Sequence, residues 1–371
     1  MKHVEHNRVA KSERNGESQE ASLKAHASET TPRLIEELKN EGKLMERILE
    51  RGNMQAALKR VRQNKGCAGE DGMEISELNP YLIENWPKIK ASLLSGKYKP
   101  NKVKEVEIPK RNGGKRMLGI PTVLDRLIQQ AIMQVLQGYI DATFDQRSYG
   151  FRPNRSAHQA AKKAKRYMEE GNEYAIEIDL EKYFDTVNHD RLMNKLNGMI
   201  KDQRVLDLIR RYLNSGIEMS VGEGVPQGSP LSPLLSNIYL DELDKELAKR
   251  GHNFVRYADD CNIYVKSHKA AERVKAGIKQ YLECKMKLKV NEAKSRINKT
   301  NNILGFAISK EVIKVSEENI KKFKERIREL TKIRGGQSMT TTIKKLPTSA
   351  KKFTNSPSSP LEASKSGDLG L

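Results

Sequence analysis

Cysteine is scarce in this chain. Among 371 residues there are three, Cys67, Cys261 and Cys284, and no two of them form a C-x-x-C pair. The seven histidines are scattered. This spacing argues against a structural zinc site and a disulfide framework, and it fits a reducing, intracellular compartment. Long apolar runs are missing too. No stretch approaches the ~18–20 residues needed to span a bilayer, which excludes the membrane as an expected partner. The polar, charged N-terminus lacks the apolar core of a secretory signal, so a cytoplasmic location is expected. No internal repeat is visible.

Positive charge, by contrast, is abundant. Lys and Arg number 68 against 48 Asp and Glu, a net charge of +20. The surplus runs along the whole chain and is not gathered in one tail. Basic side chains that neutralise phosphates gain free energy by releasing counterions, so a nucleic acid is a better reading than a merely basic surface. The length allows two or three domains or one large one.

Residues 1–33 are polar and charged with almost no large apolar side chains, and read as a disordered extension. Order is expected from Thr31-Pro32, a cap followed by a proline suited to the first helical position. Residues 66–72 form a glycine-dotted loop. Ile75 to Leu94 reads as helical, interrupted at Pro80 and Pro87. Val103 to Ile108 and Met117 to Ile120 read as a hairpin whose tip carries Lys110, Arg111, Lys115 and Arg116. Leu124, Leu127, Ile128, Ala131, Ile132, Val135 and Leu136 form a helical stripe assigned to the core. Ser156 and Asn188 are expected helix caps. Further helices are expected over 205–213, over 234–247 closed by Gly251, and near 270–283. Strands are expected at 174–180, near 287–290, at 294–298 and at 303–308. A last basic helical pattern holds Ile320, Phe323, Ile327 and Leu330. Residues 347–371 are rich in Ser, Thr, Lys and Pro without periodicity, and read as a disordered tail. Helices alternating with antiparallel hairpins favour an α+β fold over a doubly wound parallel sheet.

The residues that suggest chemistry are acids. Tyr257-Ala258-Asp259-Asp260 lies between two short apolar runs and reads as a hairpin turn carrying two carboxylates. A second apolar run, from Tyr174, ends at Asp179. Neighbouring buried carboxylates repel unless cations neutralise them. Two acid-tipped strands would suit a pair of divalent ions about 3.5–4 Å apart, as phosphoryl transfer requires. Taken singly, Asp179 also fits the solvated acidic face of an edge strand, and the pair fits an ordinary turn. The segment Gly224-Val225-Pro226-Gln227-Gly228-Ser229-Pro230 makes a rigid loop in which a ligand can approach the backbone, with Gln227 able to hydrogen-bond a sugar or base edge. It also fits a plain loop before a helix.

The ordered blocks "IPKRNGGKRMLGIPTVLDRLIQQAI", "SYGFRPNRSAHQA", "IDLEKYFDTVNHDRL", "GVPQGSPLSPLLSNIYLDELD", "RYADDCNIYV", "LKVNEAKSRI" and "LGF" together resemble the reverse transcriptase/maturase encoded by bacterial group II introns. The resemblance runs from about Leu44 to Phe306. It implies a right-hand polymerase: fingers and palm over 34–308, with an antiparallel sheet packed on helices, a partial helical thumb over 309–346, and an out-of-family tail over 347–371. It implies Asp179 and Asp259 as metal ligands, with Asp260 as an auxiliary acid, around two Mg2+ ions, with Mn2+ as a substitute. Phe184 would lie under the sugar and exclude a 2′-hydroxyl. Gln227 would line the nucleotide pocket, and Lys110 and Arg116 would grip the triphosphate. Lys294 would protonate the leaving pyrophosphate, and Leu304-Gly305-Phe306 would grip the primer end.

The implied partners are an RNA template, a DNA primer, deoxynucleoside triphosphates and the group II intron RNA, in a cytoplasmic ribonucleoprotein. Compared with the family, the segment 214–224 looks short and the maturase region after the thumb is missing, as expected of a truncated copy. No H-N-H nuclease cluster is visible. An RNA-directed DNA polymerase, an RNA-binding splicing cofactor and an inactive remnant all remain open at this level.

Overall fold

The computed structural model describes residues 33–40, 42–109, 115–216, 222–299 and 301–331. A helix over 33–40 (α1) opens the described chain. It is followed by α2 (Leu44–Ile48), α3 (Arg51–Asn64) and α4 (Leu78–Leu94). The hairpin β1 (Lys104–Pro109) and β2 (Lys115–Ile120) precedes α5 (Val123–Ile140) and α6 (Ala157–Glu169). Then come β3 (Tyr174–Ile178), the short α7 (Tyr183–Thr186), α8 (His189–Asn197), α9 (Gln203–Asn214) and α10 (Ser232–Lys249). The hairpin β4 (Asn253–Tyr257) and β5 (Asp260–Val265) leads into α11 (His268–Tyr281), which a π turn extends over Leu282–Met286. Four short strands follow, β6 (Arg296–Asn298), β7 (Asn301–Ile303), β8 (Phe306–Ile308) and β9 (Ile313–Val315), and then α12 (Glu317–Thr331).

Every described strand pairing is antiparallel. The strands form the sheets β1-β2, β4-β5-β3-β6 and β7-β8-β9, so the fold is α+β, as expected. Alternation along the central sheet separates two cores. Ile176, Ile178, Phe254, Cys261 and Ile263 face one side and join the large core that holds α8, α10 and α11. Ala175, Val255 and Tyr264 face the other side, against Ala160, Ala161 and Ala164 of α6 and Ile303, Phe306 and Ile308 of the small sheet. Burial of each large aliphatic side chain contributes roughly 1.5–3 kcal/mol, so both faces hold the sheet in place.

The expected caps form. Ser156 and Gln159 make a reciprocal capping box at α6, and the Asn188 side chain accepts from the Arg191 N–H at α8. Gly251, at φ +73°, closes α10, and its N–H reaches the Ala248 carbonyl.

Three expectations are corrected. Neither expected interruption occurs: Pro80 lies in the first turn of α4 and Pro87 sits inside it. A mid-helix proline strands the carbonyl one turn earlier, and that residue, Ile83, is 85% exposed, so water can take the bond. No strand forms over 287–290; Val290 makes only a single bridge to Leu180. The expected strand 303–308 is broken by a turn. Leu304 and Gly305 both have positive φ, +53° and +82°, between the closing pair Ile303 and Phe306, which is the pattern of a type I′ hairpin turn. A strand missed in the sequence, β9, then pairs with β8. The expectations on 1–32, on the hairpin tip with Lys110 and Arg111, and on 332–371 lie outside the described residues. No helix among the described residues is long and apolar enough to cross a membrane.

Candidate active site

β3 lies inside the central sheet, between β5 and β6, so Asp179 is not on an edge strand. The register pairs Ile178 with Cys261. One step outward brings Asp179 and Asp260 to the same end of the sheet, because cross-strand neighbours share a face. The closing pair Tyr257–Asp260 leaves Ala258 and Asp259 as a two-residue turn.

The backbone of Asp179 is clamped by the segment before β6. Its N–H donates to Ser295 Oγ at 3.1 Å, and its carbonyl accepts from the Asn291 N–H at 2.9 Å. Lys294 Nζ stands 3.9 Å from the Asp179 carboxylate on a side chain 63% exposed.

The electrostatics follow from this convergence. Burial raises the Asp179 pKa, against the pull of Lys294. Burial also raises Asp259, with the Asp179 charge adding to it and the Arg116 charge opposing it. Asp260 reaches solvent, yet it is pushed up to about 7, first by desolvation and then by Asp259, Asp179 and Glu177. Like charges gathered at one sheet end make Asp259 and Asp260 hold their protons more tightly.

Such crowding suits a divalent cation. Among the described residues no three His, Cys, Asp or Glu are already closed around a metal position. Magnesium is commonly held by one or two carboxylates together with substrate phosphates, so an acidic edge that is incomplete without substrate fits it.

A small cleft is lined by Phe184, Asp185, Gly224, Pro226 and Gln227. It adjoins the acids through Tyr183, the residue before Phe184: burial raises the Tyr183 pKa, and the Asp259 charge also raises it. The two walls of the cleft are joined through the backbone. Val225 N–H donates to Phe184 O at 2.7 Å and Gly224 N–H to Val187 O at 2.9 Å. The His189 ring nitrogen Nε2 lies 2.6 Å from Gly224 O. Phe184 is only 9% exposed and stacks edge-on against Tyr183, so it belongs to the core and lines the cleft as well. The Gln227 carbonyl accepts from Gly119 N–H of β2 at 3.0 Å, and its amide stands 3.5 Å from Asp185. β2 is thereby tied to the cleft.

The structure thus gathers Asp179, Asp259, Asp260 and Lys294 at one sheet end, with the Arg116 charge within reach. Phe184 and Gln227 lie in the adjoining cleft. Phe306 is packed in the second core against His158, with Leu304 and Gly305 in the turn before it. Lys110 lies outside the described residues.

Sequence reasoning missed Arg256. It sits in the apolar run before the acids, is fully buried, and is paired with the fully buried Asp244. A charge inside an apolar strand was the available signal, because arginine is almost never fully buried without a partner.

The family model for reverse transcriptase (RNA-dependent DNA polymerase) matches residues 108–308, more than half the chain, and that span contains both the acids and the cleft. The chain belongs to the reverse transcriptase family. It is 34% identical over 277 residues to protein YkfC of Escherichia coli (strain K12), covering 63% of this chain and 73% of YkfC. It is 34% identical over 297 residues to the group II intron-encoded protein LtrA of Lactococcus lactis subsp. cremoris, covering 73% of this chain and 49% of LtrA. The chain therefore spans about half the length of LtrA. A solved partial Cas6-RT-Cas1–Cas2 complex is similar at 27% identity and a TM-score of 0.40, over 65% of this chain and 42% of that one.

Proposed function

We propose that this chain is an RNA-directed DNA polymerase of the group II intron type, extending a DNA primer on an RNA template with deoxynucleoside triphosphates. The observation that carries the reading is the convergence of Asp179, Asp259 and Asp260 at one end of an antiparallel sheet, beside the Phe184–Gln227 cleft. In this reading β3–β6 form the palm, and the β1–β2 hairpin with the helices around it forms the fingers. The segment from 309, including α12, begins the thumb.

Asp179 and Asp259 would hold two Mg2+ ions, with Asp260 auxiliary. When bound, the ions would lower the pKa of the primer 3′-hydroxyl and stabilise charge on the leaving oxygen. The remaining work falls to the chain's own residues. Phe184, fixed by the core behind it, would leave no room for a 2′-hydroxyl. Gln227 would orient the nucleotide, and its main-chain bond to Gly119 would couple the fingers to the bound substrate. Arg116, with Lys110, would face the triphosphate. Lys294 would deliver a proton to the departing pyrophosphate oxygen. Phe306 and the turn before it would set the primer end. The basic surface and the similarity to LtrA support intron RNA as a further partner, in a cytoplasmic ribonucleoprotein.

The test is primer extension on an RNA template with Mg2+ and deoxynucleotides, wild type beside Asp259→Ala. Extension by the wild type alone is expected. A folded wild type that extends no primer, or an Asp259→Ala variant as active as wild type, would overturn the reading.

A further inference from the structure

Resting on the polymerase reading, we propose that Arg256 is a positioning residue. Through a buried brace with Asp244 and Asn237 of α10, it sets the peptide that carries the Asp259 carboxylate.

The brace reaches the turn from inside the protein. Arg256 and Asp244 are both 0% exposed. Arg256 Nε donates to Asp244 Oδ1 at 2.7 Å, and Nη2 donates to Oδ2 at 2.6 Å. The third nitrogen points elsewhere: Nη1 donates to the Ala258 carbonyl at 2.8 Å and to Asn237 Oδ1 at 3.0 Å. The Ala258 carbonyl belongs to the peptide that joins Ala258 to Asp259, so the guanidinium fixes the plane from which Asp259 departs. Asn237 extends the brace to the segment alongside, donating its Nδ2–H to Gly150 O at 2.9 Å. Gly150 lies so close to the turn that a methyl group there would collide with the Ala258 nitrogen. Main-chain bonds complete the frame: Arg256 N–H to Arg147 O at 2.9 Å, and Tyr149 N–H to Arg256 O at 2.8 Å.

Two physical points favour positioning over mere stabilisation. A buried ion pair is on average no better for stability than a well-packed apolar pair, so stability alone does not account for it. Ala258 also adopts a φ of +57°, a conformation that non-glycine residues hold only when their surroundings impose it. The guanidinium fork can engage a carboxylate with one edge and the turn carbonyl with the other. A lysine, with its donors on one nitrogen, cannot do both.

The experiment compares wild type, Arg256→Lys and Asn237→Ala in primer extension with Mg2+. It adds primer–template affinity by fluorescence anisotropy and Mn2+ binding by electron paramagnetic resonance. Misplacing a reacting group by about 1 Å costs about a hundredfold, so Arg256→Lys is expected to lower kcat by about that factor and Asn237→Ala by about tenfold. Nucleotide KM and primer–template Kd are expected to stay within about threefold of wild type, while Mn2+ binds more weakly to both variants.

A folded variant pair with unchanged kcat would overturn the proposal. So would a kcat loss matched by equal losses in primer–template affinity. Where Arg256→Lys does not fold, Asn237→Ala decides, because it leaves the Arg256–Asp244 pair intact. If wild type extends no primer, the polymerase reading fails but the brace is still judged: unchanged Mn2+ binding in Asn237→Ala removes it, and weakened binding upholds it.

Discussion

Asp125, at the start of α5, is a carboxylate enclosed by protein atoms, whereas Asp260, at the β4–β5 turn, reaches solvent beside Asp259, and their neighbours differ in kind. Asp125, 1% exposed, is surrounded by donors. Its Oδ1 accepts from the Tyr98 hydroxyl at 2.8 Å and the Tyr212 hydroxyl at 3.2 Å. Its Oδ2 accepts from the Thr122 hydroxyl at 2.7 Å and the Asn101 N–H at 3.1 Å. Burial still raises its pKa, but these bonds oppose the rise. Around Asp260 the surroundings are different: desolvation raises its pKa, and the charges of Asp259, Asp179 and Glu177 push it further the same way. An acid supplied with donors anchors α5 to α9 and to the segment before β1. Asp260, whose charged neighbours are mainly other acids, has a repulsion that a cation would relieve.

Deleting one acid from each place should have opposite effects on activity and on stability. Asp259→Ala is expected to lower primer extension by about three orders of magnitude, as losing a main electrostatic contributor does. Its melting temperature should be unchanged or higher, because a repulsion has gone. Asp125→Ala is expected to do the reverse. It leaves several buried donors without an acceptor and costs about 3 kcal/mol of stability, while the protein that remains folded extends primers at near the wild-type rate. Urea melts run beside extension assays check both. An Asp125→Ala protein with an unshifted urea midpoint would show that the donors do not hold the fold.

A smaller effect sharpens the contrast through pH. Asp260 has a folded pKa near 7 against an ordinary 3.8. Between these values the folded state binds the proton and the unfolded chain does not. Without divalent metal, stability should therefore be greatest at the acid end of that window and fall as pH rises through it. Asp125 adds a fall of the same sign, so the diagnostic is the metal. Mg2+, binding the ionised folded state, should flatten the part due to the turn in wild type, and should do so much less in Asp259→Ala. Melts across this range with Mg2+ or with EDTA measure it, and a slope indifferent to Mg2+ would count against a cation site.

The smallest expected effect is at Lys294. The side chain is mostly exposed and 3.9 Å from Asp179, so Lys294→Ala should change stability by less than about 0.5 kcal/mol. Extension should nevertheless slow by at least about tenfold if the ammonium delivers a proton in the reaction. A single-turnover assay separates these, and an unchanged rate would assign Lys294 to the solvated surface.

Much of this was legible along the chain. The stripe from Leu124 to Leu136 is buried within α5, Ser156 and Asn188 cap their helices, and the acids lie where apolar alternation stops. These features depend on neighbours a few residues apart, which the sequence displays directly. The turn at Leu304-Gly305 was not legible, because a leucine with positive φ is not signalled by its identity. A methyl at Gly305 would run into Asn319 of α12, and that contact is long-range. Pro87 was misjudged for a similar reason, since whether a proline breaks a helix depends on whether the stranded carbonyl meets water or protein.

The chain by itself therefore determined which residues are acids at strand ends, which helices are amphipathic, and which family these blocks resemble. Tertiary structure alone decided that β3 lies between β5 and β6, and that this order brings Asp179 and Asp260 to one edge. It also turned Arg256 from a charge in an apolar run into a brace beneath the turn. The physical reason is that local propensity acts over a few residues. Repulsion between carboxylates, the burial of an ion pair and the approach of two backbones depend on distances that only the folded chain sets.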